Sequence, residues 1–412
     1  MKKPLTTFSI TGEKRFLIVI RKMTLLLNFS YFLYFYSLWM VESFLPIYFK
    51  SISISDKGVG FLVGAFAASS SISIIPAGFA SDRLSTYSIV RFGILLFIIY
   101  LVGLIISNSL LNLFIFTLIG GLGSTLINIG LSTSFYKGLE EKGRSSRIGS
   151  FFLSSSTGYS LGPLSAGYLL HWSDMKSVFA AGLIGISILL IFSFFMKEKC
   201  ISKAEKAESL KLSDYTSIFK QYKIIFLLLS VSVVGIHLGA EQSSLSLFLK
   251  MNLNLQDKAI GIIFACVGLW VGFLIYISGR VFDNDKNIVM LIWTGMIISG
   301  VFQVATAYTH GFRDVLTIRL LHTVGDSFTV LCNGILTSIV FKEIYMGGGV
   351  GIVQGFRMGS IFLGATTCGV LNGIYGYHIN FIITGILSLL FGISVLLSRK
   401  RLQTVIFSPS QP

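Results

Sequence analysis

Apolar residues run along this chain in blocks of about 20 or more, separated by short polar breaks. A helix rises about 1.5 Å per residue, so each block is long enough to cross the hydrocarbon core of a bilayer. Twelve such blocks are marked, at 24–49, 58–80, 88–107, 110–136, 148–171, 177–196, 224–249, 259–279, 288–308, 315–341, 350–371 and 378–398. Most breaks on one side are very short, which predicts antiparallel helical hairpins. One long connection, 197–223, is rich in Lys, Glu and Ser and reads as a solvated linker with a short surface helix.

The blocks flanking that linker repeat. At an offset of 201, Asp56-Lys57 matches Asp257-Lys258, Gly60 matches Gly261, Gly78 matches Gly279, Asp82 matches Asp283 and Gly158 matches Gly359. The stretch Glu42–Lys50 parallels Gln242–Lys250 at an offset of 200. Six helices, a linker, then six helices in the same orientation form a parallel repeat, which transporters build around a midplane site. The expected fold is an all-α integral membrane protein of 12 transmembrane helices, arranged as two pseudo-symmetric six-helix bundles.

Composition supports this picture. Charged residues make up 12% of the chain, against about 25% in a soluble domain. The net charge of +15 would suggest nucleic acid, but its placement argues for a membrane. With residue 1 in the cytoplasm, inside segments hold 25 Lys and Arg and outside loops hold 6, the bias of the positive-inside rule. The charge therefore reports orientation and attraction to anionic headgroups. The first block is too long for a signal-peptide core and reads as an uncleaved helix. The expected layout is a cytoplasmic segment 1–22, a bundle 23–196, a cytoplasmic linker 197–223, a bundle 224–398 and a cytoplasmic tail 399–412, in a multi-pass protein of the cell membrane. Cys200, Cys266, Cys332 and Cys368 are widely spaced and imply neither a disulfide framework nor a zinc site. No phosphate-binding loop supports ATP-driven transport, and no nucleophile–base constellation points to an enzyme.

Two motifs resemble those of the major facilitator superfamily. Gly78-Phe-Ala-Ser-Asp82-Arg83-Leu-Ser85 is similar to the signature of the loop after the family's second helix, although Ser85 replaces a Gly and Thr86 and Tyr87 stand where basic residues are usual. Gly lets a helix end and turn, and an acid favours a neighbouring helix N-terminus. The resemblance implies that Asp82 helps latch the two halves, with Gly279 and Asp283 as the second copy, which lacks the Arg. In the fifth block, Gly149, Gly158, Gly162-Pro163 and Gly167 resemble the family's antiporter motif, with Ala166 for one Gly. Small residues at helical spacing explain close helix packing equally well, and Pro163 bends a helix. The Arg often found in the family's fourth helix is replaced by Thr117; the intramembrane Arg is instead Arg319, in the tenth block.

Ionisable residues inside apolar blocks are costly and mark ion or substrate pathways. They are Glu42, His237, Glu241, Arg319, His322, Asp326 and Arg357. His237/Glu241 and His322/Asp326 are each spaced i,i+4 and so share a helix face. The resemblance places blocks 1, 4, 7 and 10 around a central cavity, where most of this set would converge. Glu241 and Asp326 are the expected proton carriers, with Arg319 tuning them. Alternatives stay open: an Arg319–Glu241 structural salt bridge, a wetted Glu42, an Arg357 that projects to the cytoplasm or meets an anion, and a divalent metal held by the His/acid pairs.

The sequence thus predicts a secondary transporter of a small solute, coupled to protons and exporting by antiport, acting as a monomer in the lipid bilayer. It calls for no cofactor, resident metal or nucleic-acid partner. Proton symport of a polar or anionic solute, divalent-metal transport and a transport-inactive receptor are the other readings.

Overall fold

The computed structural model describes residues 9–137, 144–196, 221–281, 288–341 and 346–407. Among them every regular element is helical. In chain order these are α1 (Ser9–Glu42), α2 (Leu45–Ser51), α3 (Asp56–Arg83), α4 (Thr86–Ile106), α5 (Leu110–Lys137), α6 (Arg144–Leu170) and α7 (Met175–Phe195). After the linker come α8 (Tyr222–Leu247), α9 (Asp257–Val281), α10 (Ile288–Thr306), α11 (Phe312–Val340), α12 (Met346–Tyr375), α13 (His378–Leu397) and α14 (Arg399–Phe407).

Ten of these segments are long and apolar enough to cross a membrane. α6 and α12 have the length but not the apolarity. α6 lies against α1 and α9, and α12 against α3 and α8. The blocks differ from expectation at several ends. The first block is interrupted at Ser43–Phe44, and the helix restarts with Pro46 in the first turn of α2. Pro lacks the N–H that would continue the ladder. The helix of the second block runs through Gly78 to Arg83 instead of ending at the glycine. The tail is not simply a polar end, since Arg399–Phe407 forms α14. The linker 197–220 and Asp283 lie outside the described residues.

Packing repeats along the chain. α1 packs on α6 and α7, α3 on α5, and α4 on α5 and α7. The later helices follow the same pattern: α8 on α12 and α13, α9 on α11, and α10 on α11 and α13. α3 against α12 and α6 against α9 join the early helices to the late ones.

The repeat extends to ion pairs. Lys50 Nζ bonds Asp56 Oδ2 at 2.8 Å and Lys250 Nζ bonds Asp257 Oδ2 at 2.9 Å, each tying one helix to the next. Each turn contains one residue of positive φ, Ser53 at 65° and Asn254 at 50°. The second copy has one more residue between its Lys and Asp, and a π turn at Phe248–Asn252 absorbs it.

Asp174 caps α7 by accepting from the Ser177 backbone N–H at 3.0 Å. That bond holds its carboxyl below the usual aspartate range. The cap therefore stabilises above the ordinary aspartate pKa and is lost as pH falls through the lowered folded value. Asp174→Ala is expected to cost about 1 kcal/mol, seen as a lower thermal midpoint at pH 7 and no difference from wild type in strong acid.

Candidate functional site

Two facing helices each carry a histidine and an acid one turn apart, and the fold closes them onto one another. His237 and Glu241 project from α8, and His322 and Asp326 from α11. His237 Nε2 and His322 Nε2 are 3.0 Å apart. Glu241 Oε1 lies 3.2 Å from the first and 3.1 Å from the second. Asp326 Oδ2 is 3.0 Å from His322 Nε2, and its Oδ1 is 3.9 Å from His237 Nε2. Arg319, one turn from His322, reaches Glu241 Oε1 through Nη2 and donates to Gln303 Oε1 at 2.8 Å through Nη1.

One hydrogen bond fixes a proton on His322. His322 Nδ1 lies 3.0 Å from the Ser299 carbonyl oxygen, which can only accept, so Nδ1 carries a proton. Its Nε2 faces two carboxylate oxygens within 3.1 Å. Ionised carboxylates are acceptors only, so a hydrogen bond from His322 to either acid would take a proton on Nε2 or on that acid. The Arg319, His237 and His322 side chains are 2%, 3% and 0% exposed, whereas Glu241 and Asp326 keep 13% and 23%. The acids are the members that keep accessible surface.

The four donor atoms lie within 4.8 Å of one another and could gather round a divalent ion. The Arg319 guanidinium already contacts the Glu241 oxygen that such an ion would need. A dication there would meet a full positive charge at close range.

The sequence profile of the Major Facilitator Superfamily matches residues 27–292. The chain belongs to this superfamily. Quinolone resistance protein NorA of Staphylococcus aureus is 21% identical over 356 residues, covering 86% of this chain and 91% of NorA. An uncharacterised MFS-type transporter of Methanocaldococcus jannaschii is 23% identical over 363 residues, covering 86% and 92%. A bacterial homologue of the human lysosomal transporter Spinster, in an inward-facing and occupied conformation, superposes with a TM-score of 0.78 at 14% identity, covering 95% and 99%.

Other members of the predicted set stand apart from this cluster. Glu42 Oε1 accepts from the Tyr100 hydroxyl of α4 at 2.7 Å and joins none of the five. Arg357, on α12, has no acid within ion-pair distance among the described residues, and its Nε is buried without a hydrogen bond. Thr117, which replaces the family's arginine, is buried and donates to the Leu113 carbonyl at 2.6 Å.

The glycine motif of α6 serves helix contact. A Cβ at Gly158 or Gly162 would collide with the α1 backbone at Phe32 and Tyr36, and one at Gly167 with α9 at Asp257 and Gly261. The carbonyl of Pro163 faces Gly261, while Gly149 has no neighbour within 4 Å. Gly78, Asp82 and Arg83 all fall within the last turns of α3, and Gly279 within α9.

Sequence reasoning missed Ser299 and Gln303 on α10. Ser299 Oγ donates to Asp326 Oδ1 at 2.8 Å, which turns the other oxygen towards His322. Gln303 is fully buried and holds Arg319. They share one face of α10 at i,i+4, a polar pair in an apolar helix that could have signalled a partner.

Proposed function

We propose that this chain is a proton-coupled antiporter exporting a small solute by alternating access of two six-helix halves, 23–196 and 224–398, across a linker at 197–223. The single observation that supports a proton site is that His322 Nε2 lies within 3.1 Å of an oxygen of both Glu241 and Asp326. Two acids with partial exposure give that proton a path, and Arg319 keeps a compensating charge beside Glu241 when it leaves. Export draws support from the resemblance to the NorA quinolone resistance proteins. The repeated packing of early and late helices supports the two rocking halves. In this reading the monomer sits in the cell membrane with both termini in the cytoplasm, and the proton gradient is its energy source.

The test uses purified protein in liposomes enclosing a pH-sensitive dye, with lipophilic cations, sugars, amino acids, organic anions and divalent metals added outside in turn. Antiport predicts that one class alkalinises the lumen as it enters, because protons leave in exchange. Acidification would mean symport, and no solute-dependent proton movement for any class would remove the coupling.

A further inference from the structure

Two helices bring two imidazoles and two carboxylates to one point. Among the described residues, His237, Glu241, His322 and Asp326 are the group of histidines and acids whose donor atoms all lie within 4.8 Å of one another. His237 Nε2 and His322 Nε2 are 3.0 Å apart, and Glu241 Oε1 stands 3.2 and 3.1 Å from them, which makes a nearly equilateral triangle. Asp326 Oδ2 lies 3.0 Å from His322 Nε2. A zinc ion holds N and O ligands at about 2.0–2.2 Å in a tetrahedron, whose edges are then about 3.3–3.6 Å. The cluster reaches that spacing by an outward shift of roughly a few tenths of an ångström.

The surroundings prepare the donors. His322 donates through Nδ1 to the Ser299 carbonyl at 3.0 Å, so its neutral ring keeps the lone pair on Nε2, the nitrogen that faces the other donors. Metal-ligating histidines are oriented in this way, with the second ring nitrogen on a carbonyl or carboxylate. Ser299 Oγ donates to Asp326 Oδ1 at 2.8 Å and so orients that carboxylate. His237 Nδ1 is buried without a hydrogen-bond partner among the described residues, which leaves the ring free to present its Nε2 lone pair. Charge then sets the strength of binding. Two carboxylates and the Arg319 guanidinium sum to one negative charge, which a proton balances and a dication overshoots. The guanidinium is held against Glu241 Oε1 and Gln303 Oε1, so its repulsion weakens any ion bound there. Metal and proton also compete, since His322 Nε2 cannot hold both.

We propose that His237, Glu241, His322 and Asp326 bind a divalent ion of the zinc class reversibly, in place of the coupled proton, with Arg319 keeping the affinity low enough for release. Imidazole together with carboxylate suits such ions, whereas Mg²⁺ and Ca²⁺ take oxygen ligands. Both helices, α8 and α11, belong to the second half, so the ion does not clamp the halves together and acts only by taking the proton's place. The site stands on its geometry alone, and the block of proton movement rests on the antiport reading.

The experiment measures equilibrium binding of Zn²⁺ to the tag-free full chain in phosphatidylcholine vesicles, with Mg²⁺ and Ca²⁺ as competitors. The double variant His237→Gln/His322→Gln keeps the other histidines, His171, His310 and His378. It is expected to bind Zn²⁺ at least about tenfold more weakly, the least effect of losing groups that support a metal. Arg319→Gln is expected to bind at least about tenfold more tightly, the scale of a unit charge and a dication about 5 Å apart even in water. A cooperative melt without metal reports that each variant is folded. In wild type alone, Zn²⁺ is expected to raise the thermal midpoint where equal Mg²⁺ does not. No rise, or the same rise with Mg²⁺, would overturn the proposal without any variant. So would equal Zn²⁺ affinity in the double histidine variant, which would move the ion to groups outside the cluster, or no tightening in Arg319→Gln. Zn²⁺ bound selectively while solute-driven proton movement continues at full rate would overturn the displacement of the proton. Selective Zn²⁺ binding in a chain that moves no protons with any solute would uphold the metal site and remove the antiport reading.

Discussion

Glu241→Gln is expected to abolish solute-driven proton movement in liposomes, and Asp326→Asn to do the same, each by about 100-fold or more, the scale on which a positioned proton carrier acts. The reason lies in the contacts of His322 Nε2 with both carboxylates. An amide in place of either acid still fills the space but cannot bind and release the proton. Glu241→Gln has a second consequence, because it leaves the buried Arg319 without its counter-charge. Breaking one side of a buried pair costs roughly 3–5 kcal/mol, so the variant should unfold at a lower temperature. Pairing it with Arg319→Gln separates the two roles. If the pair is only structural, the double variant recovers both stability and coupling. If Glu241 carries the proton, stability returns and coupling does not. Unchanged proton movement in either single variant would end the assignment.

Gly60→Leu is expected to lock the α3–α12 seam open at the Asp56 end and to halt transport in a folded protein. A Cβ at Gly60 would press on the Ala365 carbonyl and the Gly369 Cα of α12, which are backbone and cannot swing aside. At the same end, Tyr377 donates to Asp56 Oδ1 at 2.8 Å, a second tie between early and late helices. Further along the seam the glycines have more room: a Cβ at Gly351 or Gly355 would meet Ile74, Ile75 and Ser71 only at ordinary distances and one at Gly78 nothing within 4 Å, although Ser71 Oγ still donates to the Gly355 carbonyl at 2.8 Å. The seam is thus shut at one end and relaxed towards the other, the form of one state of alternating access. Overpacking costs about 2 kcal/mol, which shifts a two-state equilibrium about thirtyfold away from the closed end. Spin labels at Lys57 and Tyr375, in a background without the four native cysteines, should report a longer distance in Gly60→Leu than in the parent. An unchanged distance with intact transport would show that this end need not open.

Much of this was written in the sequence for a physical reason. Membrane helices must bury their own backbone polar groups, so length and apolarity mark them locally. The parallel offset of Asp56-Lys57 and Asp257-Lys258 predicted two equivalent turns, and the structure shows the same Lys–Asp bond in both. The i,i+4 spacing of His237/Glu241 and His322/Asp326 placed each pair on one face, because helical periodicity is a local property.

What the chain could not reveal concerns partners. Glu42 reads like the other intramembrane acids, yet a hydroxyl from α4, 58 residues away, claims it. Gly78 reads as a helix stop, yet α3 continues past it to Arg83. Local sequence determined which segments are helical, which faces carry charge and that the chain repeats, since each depends on spacing within a few turns. Only the tertiary structure decided that Arg319 meets Glu241 and Gln303, that His322 stands between both acids, and that Arg357 has no acid beside it among the described residues. Charge neutralisation depends on distances between helices far apart in sequence, and no spacing along one helix encodes them.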